Sequence, residues 1–169
     1  MLNRFLILLA FLILPQIALA DVFSSPKSLE YIVPNLPQFS SVNCRFKQEK
    51  RMPNNVVLKS SGKFSFDRKA GVVFNTQEPI KAVNTYTSKD YNQINDIINA
   101  ISNKKYSKLE HQFDFFYVNS TPWQFGLKPK KNSQTAKYLK SIEIYGTNKI
   151  SKIVVTTNNS VKTTIWFYE

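Results

Sequence analysis

Few residues in this chain have side chains that commonly carry out catalysis. His111 is the sole imidazole and lies in a polar stretch, so it is typical of a solvated surface residue rather than a general base. Cys44 is the sole thiol and falls on the apolar side of a strand pattern, which favours a buried, inert cysteine. The carboxylates are scattered, and the four glycines are isolated from one another. The pattern therefore predicts a protein that is not an enzyme, with no catalytic residue and no phosphate-binding loop.

The same counts limit how the chain can be stabilised. One cysteine and one histidine are too few for a zinc site, which needs about four nitrogen or sulfur ligands. A lone cysteine also excludes an intramolecular disulfide. Of the 169 residues, 43% are apolar and 14% are aromatic, which is too high for a disordered chain. We expect one globular domain with no cofactor and no metal.

The first twenty residues have the pattern of a secretory signal peptide. Arg4 precedes an apolar run, 5–14, that is shorter than the ~20 residues of a membrane span. Pro15 and the small residues 18–20 then predict cleavage after Ala20. We therefore expect a signal peptide at 1–20 and a domain at 21–169. Export without disulfides favours the periplasm of a Gram-negative bacterium.

The chain is strongly basic. Its formal net charge is +12, and it is +11 without Arg4 and the rest of the signal peptide. Such a charge favours acidic partners, which include anionic lipid head groups, polyanionic polysaccharide and acidic protein surfaces. Since the protein is expected to be exported, we do not expect it to bind nucleic acid.

The hydropathy pattern predicts the elements of a mainly β fold. About eight short strands separated by turns indicate an antiparallel meander, curved or partly closed. Gly62 predicts a bulge in one strand, and residues 91–101 have the spacing of an amphipathic helix capped by Ser88 or Asp90. A shorter helix is expected after Pro26, with Ser25 as its cap. The strands are expected at 42–49, 56–66, 72–74, 80–87, 113–117, 123–127, 139–145, 150–156 and 161–167.

Most of the aromatic residues fall within these strands. In a closed sandwich they would form an ordinary core. In a half-open barrel the same side chains would line a cavity for an apolar ligand. The periodicity fits both arrangements.

The order of several short motifs resembles the LolA family, the periplasmic carriers of outer-membrane lipoproteins, and in particular a LolA-related branch. The resemblance extends over nearly all of 21–169. Its motifs are Phe46-Lys47-Gln48-Glu49-Lys50, Ser60-Ser61-Gly62, Arg68, Gly71 to Phe74, Glu78-Pro79, Ile97 to Ile101, Phe113, Trp123 to Lys130, Leu139 to Gly146 and Ile150 to Val155.

The resemblance implies an α+β, mainly β fold: one strongly curved antiparallel sheet, an unclosed half-barrel, with a helical lid over an apolar cavity for acyl chains. It also implies that Arg68 hydrogen-bonds lid backbone and keeps the empty cavity shut; an ordinary turn cation is the alternative. The implied cavity and lid residues are Phe46, Leu58, Phe64, Phe66, Val72, Phe74, Ile94, Ile97, Ile98, Ile101, Phe113, Phe115, Trp123 and Phe125.

The resemblance further implies a monomeric carrier that hands acylated lipoprotein or lipid cargo from an inner-membrane release complex to an outer-membrane acceptor. Two features depart from the family. Lys69 stands where a proline is usual after the arginine, and the chain ends at Glu169 without the family's closing segment. Two alternatives therefore stay open: a carrier of a glycolipid or other pathway-specific lipid, and a binding module for anionic polysaccharide.

Overall fold

The alternation of apolar and polar residues along most of the chain produces strands with one buried and one solvated face. A computed structural model describes residues 21–38, 40–68, 70–86 and 93–169. In it, nine antiparallel strands form one sheet that does not close on itself. The strands are β1 Ser41–Arg51, β2 Val57–Asp67, β3 Gly71–Glu78, β4 Ala82–Tyr86, β5 Phe113–Val118, β6 Trp123–Pro129, β7 Leu139–Gly146, β8 Ile150–Thr157 and β9 Lys162–Tyr168.

The sheet combines two meanders. Its strand order is β4-β3-β2-β1-β9-β8-β7-β6-β5, so β1 to β4 and β5 to β9 each pair with chain neighbours. The two halves are joined by the pairing of β1 with β9, in which Phe46 lies opposite Phe167. The predicted mainly β half-barrel is confirmed. The predicted bulge is also present, since the register between β2 and β3 shifts between Ser61 and Gly62.

Three short α-helices accompany the sheet: α1 Leu29–Ile32, α2 Gln93–Asn103 and α3 Ser107–Glu110. Three 3₁₀ turns lie at Val22–Ser24, Val33–Asn35 and Gln134–Lys137. The predicted cap of the first helix is wrong, because Ser28 and not Ser25 accepts a hydrogen bond from the backbone N–H of Tyr31. The predicted caps of α2, Ser88 and Asp90, lie outside the described residues, as does the predicted signal peptide.

The strand order explains why α2 lies over the sheet. The connection from β4 to β5 joins the two opposite edges of the sheet, so its helices must cross one face. We call the face that carries the core the inner face, and the opposite one the outer face. Ile97, Ile98 and Ile101 of α2 are buried in the same hydrophobic cluster as the inner-face side chains. The spacing of these isoleucines is that of one helix face.

The segment before β1 crosses the edge of β5. Phe23 packs edge-on against Phe116 of β5, with ring centroids 5.3 Å apart. Pro26 then forms an isolated bridge with Phe116, and the N–H of Lys27 donates to the carbonyl of Phe115 at 2.8 Å. Ile32 follows in the core cluster. This segment covers an edge strand that would otherwise offer unpaired backbone groups to another chain.

In the part of the chain that the structure describes, no helix has both the length and the apolar character needed to cross a membrane.

Candidate functional site

The inner face of the sheet brings together nearly all the residues that the sequence assigns to a cavity. They meet in one hydrophobic cluster whose aromatic rings touch across strands. Phe64 lies 5.0 Å from Phe74 and 4.8 Å from Phe167, measured between ring centroids. Those that are buried are Phe46, Phe64, Phe66, Val72, Ile97, Ile98, Ile101, Phe113, Phe115, Trp123 and Phe125, whereas Phe74 and Ile94 are half-buried against the cluster.

Leu58 is the exception. Its side chain is 55% exposed, and it is not part of the cluster. Leu58 shares the inner side of β2 with Phe64, but it lies near the start of that strand, opposite Lys50 of β1. The strand pattern correctly gave its face, yet it contains no information on how far along the strand the helices extend. The prediction that Leu58 lines the cavity is therefore wrong, because its side chain is exposed to solvent.

Arg68 contacts the backbone of α2. It follows β2 in the turn to β3, and its Nη2 donates a hydrogen bond of 2.7 Å to the carbonyl oxygen of Ser102. That carbonyl belongs to the last turn of α2, where the helix leaves carbonyls unpaired and carries partial negative charge. A guanidinium is thus placed where it is electrostatically favoured. The contact that a latch requires is present, and its role in opening remains a prediction.

A second cation, which the sequence analysis missed, joins the end of α2 to the N-terminal helical segment. Lys104 follows α2 with φ of 54°, the left-handed conformation that commonly terminates a helix. Its Nζ donates to the carbonyl oxygens of Val33 at 2.7 Å and Leu36 at 2.5 Å. Burial lowers the pKa of the Lys104 ammonium. The sequence signal was weak, because a lysine after a helix usually points to solvent.

Below the middle of α2, the inner face contains a narrow apolar space. A cavity of about 20 Å³ is lined by Val42, Phe64, Ile98, Lys149, Ile150 and Phe167. That volume is close to the space one water molecule needs. With α2 in this position, the space beside Ile98 is therefore too small for an acyl chain.

A wider opening adjoins this space where the end of β9 lies beside Arg45, four residues after the start of β1. The last β1–β9 pair is Arg45 with Tyr168, so residues 41–44 of β1 have no partner on that side. The gap holds a pocket of about 330 Å³, which is at the lower end of the volumes of ligand pockets. Its lining shares Val42, Ile150, Phe167 and Lys149 with the narrow space. The two spaces are therefore neighbours, and the narrower one lies against Ile98 of α2.

Cys44 lies in this pocket. It is half-buried, and burial raises the pKa of its thiol, while the nearby Lys149 ammonium lowers it by a smaller amount. A raised pKa disfavours the thiolate at neutral pH. Cys44 is thus less buried than the sequence predicted, and the inertness of its thiol stays a prediction.

Tyr106 carries a buried polar atom close to the lid. It lies between α2 and α3, its ring meets Phe125 edge-on at 6.5 Å, and its hydroxyl has no hydrogen-bond partner within the described part of the chain. Burial raises the pKa of this hydroxyl, so it stays protonated. Leaving such a group unpaired costs about 1–3 kcal/mol. The aromatic pattern of the sequence did not single out Tyr106.

A larger space of about 550 Å³ lies elsewhere, near the bulge of β2, but its lining is mainly polar and charged. It includes Lys47, Glu49, Lys59 and Glu78. We take the smaller pocket as the candidate site because it shares lining residues with the narrow space that Ile98 of α2 covers. His111 is exposed, and no group of three potential metal ligands occurs among residues 21–38, 40–68, 70–86 and 93–169.

Comparison with known proteins gives a distant structural likeness. No protein-family model matches the chain, and no curated protein matches it either. Among solved structures, a DUF1329 family protein from Desulfovibrio piger is similar at 10% identity and a TM-score of 0.32. The likeness covers 83% of this chain and 89% of that one. The resemblance to the LolA family therefore remains a prediction from the sequence motifs.

Proposed function

We propose that this protein is a periplasmic carrier that shields the acyl chains of a lipoprotein or another lipidated cargo between the sheet and α2. The observation that carries the proposal is the arrangement of the lid. An apolar helix covers an aromatic wall, a pocket opens beside it, and its C-terminal turn is held from the sheet by Arg68.

The volumes imply that the carrier alternates between two states. The space beside Ile98 holds about 20 Å³, so we expect cargo to enter there when α2 moves away from the wall. Each CH₂ group transferred from water to the wall contributes ~0.8 kcal/mol. Breaking the hydrogen bond from Arg68 to Ser102 costs no more than about 3 kcal/mol of free energy. Burial of a long acyl chain can therefore offset that cost. Cargo selects the open state because it binds only there.

Release follows from the same energetics. The apolar wall holds the acyl chain more favourably than water does, so cargo does not escape unaided. It requires an acceptor with a better apolar site, while closure of α2 over the emptied wall restores the contacts of the closed state. We expect a monomeric carrier that cooperates with a release complex and a membrane acceptor.

The direct experiment measures binding of a fluorescent fatty acid to the chain from Asp21 to Glu169, which contains all nine strands. The variant Val42→Phe fills the pocket, and its matched control is Val56→Phe, since Val56 is exposed and lies outside the pocket. We expect binding by the wild type and the control, and at least tenfold weaker binding by Val42→Phe. Equal binding by both variants would place the ligand elsewhere.

The cargo itself is identified by native mass spectrometry of protein recovered from cells, followed by lipid extraction. A bound acylated protein supports a lipoprotein carrier, and a bound glycolipid supports the pathway-specific alternative. If the recovered protein is empty and also fails to bind the fatty acid probe, the carrier proposal is wrong.

A further inference from the structure

The outer face of the sheet has a strong excess of positive charge. On strands β1, β2, β7, β8 and β9, the residues pointing to this face follow from the strand register. The carboxylates that these five strands place on it are Glu49, Asp67 and Glu143. At least seven basic residues oppose them: Arg45, Lys47, Arg51, Lys59, Lys63, Lys152 and Lys162.

All three carboxylates already have partners on the protein. Glu49 pairs with Lys59 at 3.5 Å, and Glu143 accepts a hydrogen bond of 2.5 Å from the hydroxyl of Tyr145. Asp67 accepts one of 3.0 Å from the backbone N–H of Ala70. Glu78 of β3 and Asp114 of β5 add two carboxylates to this face, and Lys128 of β6 adds one basic residue, so an excess of positive charge remains.

One row of residues runs straight across this face on neighbouring strands. The cross-strand pairs place Ser61, Lys47, Trp166, Lys152, Tyr145 and Gln124 side by side on β2, β1, β9, β8, β7 and β6. Trp166 thus lies between two lysines. Its side chain is 37% exposed, as is that of Tyr168 two residues further along the same strand. Exposed tryptophan and tyrosine among lysines are typical of surfaces that meet the head-group region of a membrane.

The aromatic rings are not arranged to stack on a polymer. The Nζ of Lys152 lies 3.7 Å from the ring centroid of Tyr145, and the Nζ of Lys47 lies 5.7 Å from that of Tyr168. Proteins that bind bases or other flat polymer units use exposed ring faces for stacking. Here the ammonium groups lie over those faces. The outer face does contain a pocket of about 470 Å³ beside Gln124, Tyr145 and Lys152, and Asp21 and Glu143 also line it, so its lining is not purely basic.

From these observations we propose that the outer face of β1, β9 and β8 docks on a bilayer surface rich in anionic phospholipid, with Trp166 at the head-group level. Lys47 and Lys152 supply the attraction on either side of it. This docking uses the face opposite to the lid, so it positions the protein on a membrane and leaves α2 free to move. It does not depend on the carrier function, because no cargo needs to occupy the pocket.

The test is co-sedimentation of the chain from Asp21 to Glu169 with vesicles of phosphatidylcholine, with and without phosphatidylglycerol. The face variant is Lys47→Gln with Lys152→Gln. The matched control is Lys131→Gln with Lys137→Gln, which removes the same charge at exposed positions outside the nine strands. We expect binding only to the anionic vesicles, weakening as salt is raised. At about fivefold per lysine, the face variant should bind about thirtyfold more weakly, and the control should lose far less.

Tryptophan fluorescence gives a second, independent measurement. Trp123 is buried, so quenching of the emission by brominated anionic lipid reports on Trp166. Quenching in the wild type, but not in the face variant at the same lipid concentration, supports the proposal. It is overturned by absence of binding to the anionic vesicles, or by equal losses in the two lysine variants. Binding to dextran sulfate without binding to vesicles would also overturn it, in favour of a polymer ligand.

Discussion

The guanidinium of Arg68 donates to the carbonyl oxygen of Ser102, 34 residues later in the chain, across a distance of 2.7 Å. This hydrogen bond joins the β2–β3 turn to the last turn of the lid helix. Both partners are placed by long-range topology, because the β4–β5 connection must cross the sheet from one edge to the other. The contact gives the lid one of its few polar attachments, and it can break without disturbing the sheet.

Replacing Arg68 by leucine should loosen the lid. The lost hydrogen bond is charged but partly exposed to solvent, so we expect α2 to open more easily by about 1 kcal/mol. Hydrogen exchange of the amides in α2 should then become about fivefold faster. The control is Arg45→Leu, which makes the same substitution on the outer face and should leave the hydrogen exchange of α2 unchanged. Equal protection of α2 in the two variants would remove Arg68 from the closing mechanism.

The attachment through Lys104 should contribute to overall stability. Lys104→Met keeps most of the apolar stem but removes the donor to the carbonyls of Val33 and Leu36. We expect the free energy of unfolding in urea to fall by about 1–2 kcal/mol. Lys105→Met, at the exposed neighbouring position, should change it by less than about 0.5 kcal/mol. Similar values for both variants would show that the Lys104 contacts are weak in solution.

Tyr106→Phe should separate stability from cargo binding. The substitution removes a hydroxyl that is buried without a partner in the described residues. The free energy of unfolding of the closed state should therefore stay the same or rise by up to about 1 kcal/mol. If the hydroxyl bonds a carboxyl or ester oxygen of the cargo in the open state, fatty acid binding should weaken about five- to tenfold. Thermal unfolding and probe titration measure the two effects. A clear loss of stability would mean that the hydroxyl has a partner in the folded protein.

The difference between Leu127 and Leu58 can be tested with one substitution type. Both are leucines on the inner side of the sheet, but Leu127 is fully buried and Leu58 is 55% exposed. Leu127→Ala should cost about 2–5 kcal/mol of unfolding free energy, as expected for a cavity in a packed core. Leu58→Ala should cost less than about 0.5 kcal/mol. A large loss in Leu58→Ala would indicate that the helices cover more of β2 than the structure shows.

The thiol of Cys44 is a probe of the pocket. Since burial raises its pKa, a smaller fraction is thiolate at any given pH, and the pH of half-maximal alkylation should lie above the value of about 8.5 for an unperturbed cysteine. Lys149 lowers this pKa, so Lys149→Ala should move the profile further upward. A profile measured in urea should return to the unperturbed value. Iodoacetamide kinetics measure all three profiles, and coincident folded and unfolded profiles would contradict the burial of Cys44.

Local patterns of the sequence were sufficient for much of the fold. The alternation in Asn43–Phe46 and in Phe64–Phe66 identifies strands and their buried sides, because neighbouring side chains of a strand point to opposite faces. The spacing of Ile94, Ile97 and Ile101 likewise identifies the apolar side of α2. Gly62 indicated the bulge, where its missing side chain leaves room for the carbonyl of Asn75. The N-cap of α1 was misplaced because Ser25 and Ser28 are equally good capping residues, and only the path of residues 25–27 along β5 decides between them.

The sequence by itself thus determined which residues are apolar, with what period, and how much positive charge the protein carries. Only the tertiary structure decided that β1 pairs with β9, that Lys104 reaches Val33, and that Leu58 lies beyond the helices. It also decided that Lys47, Trp166 and Lys152 form one row. The physical reason is that periodicity reports the orientation of a side chain relative to its own strand or helix. The partner across a sheet or under a lid depends on chain crossings between residues far apart in sequence, which no local pattern records.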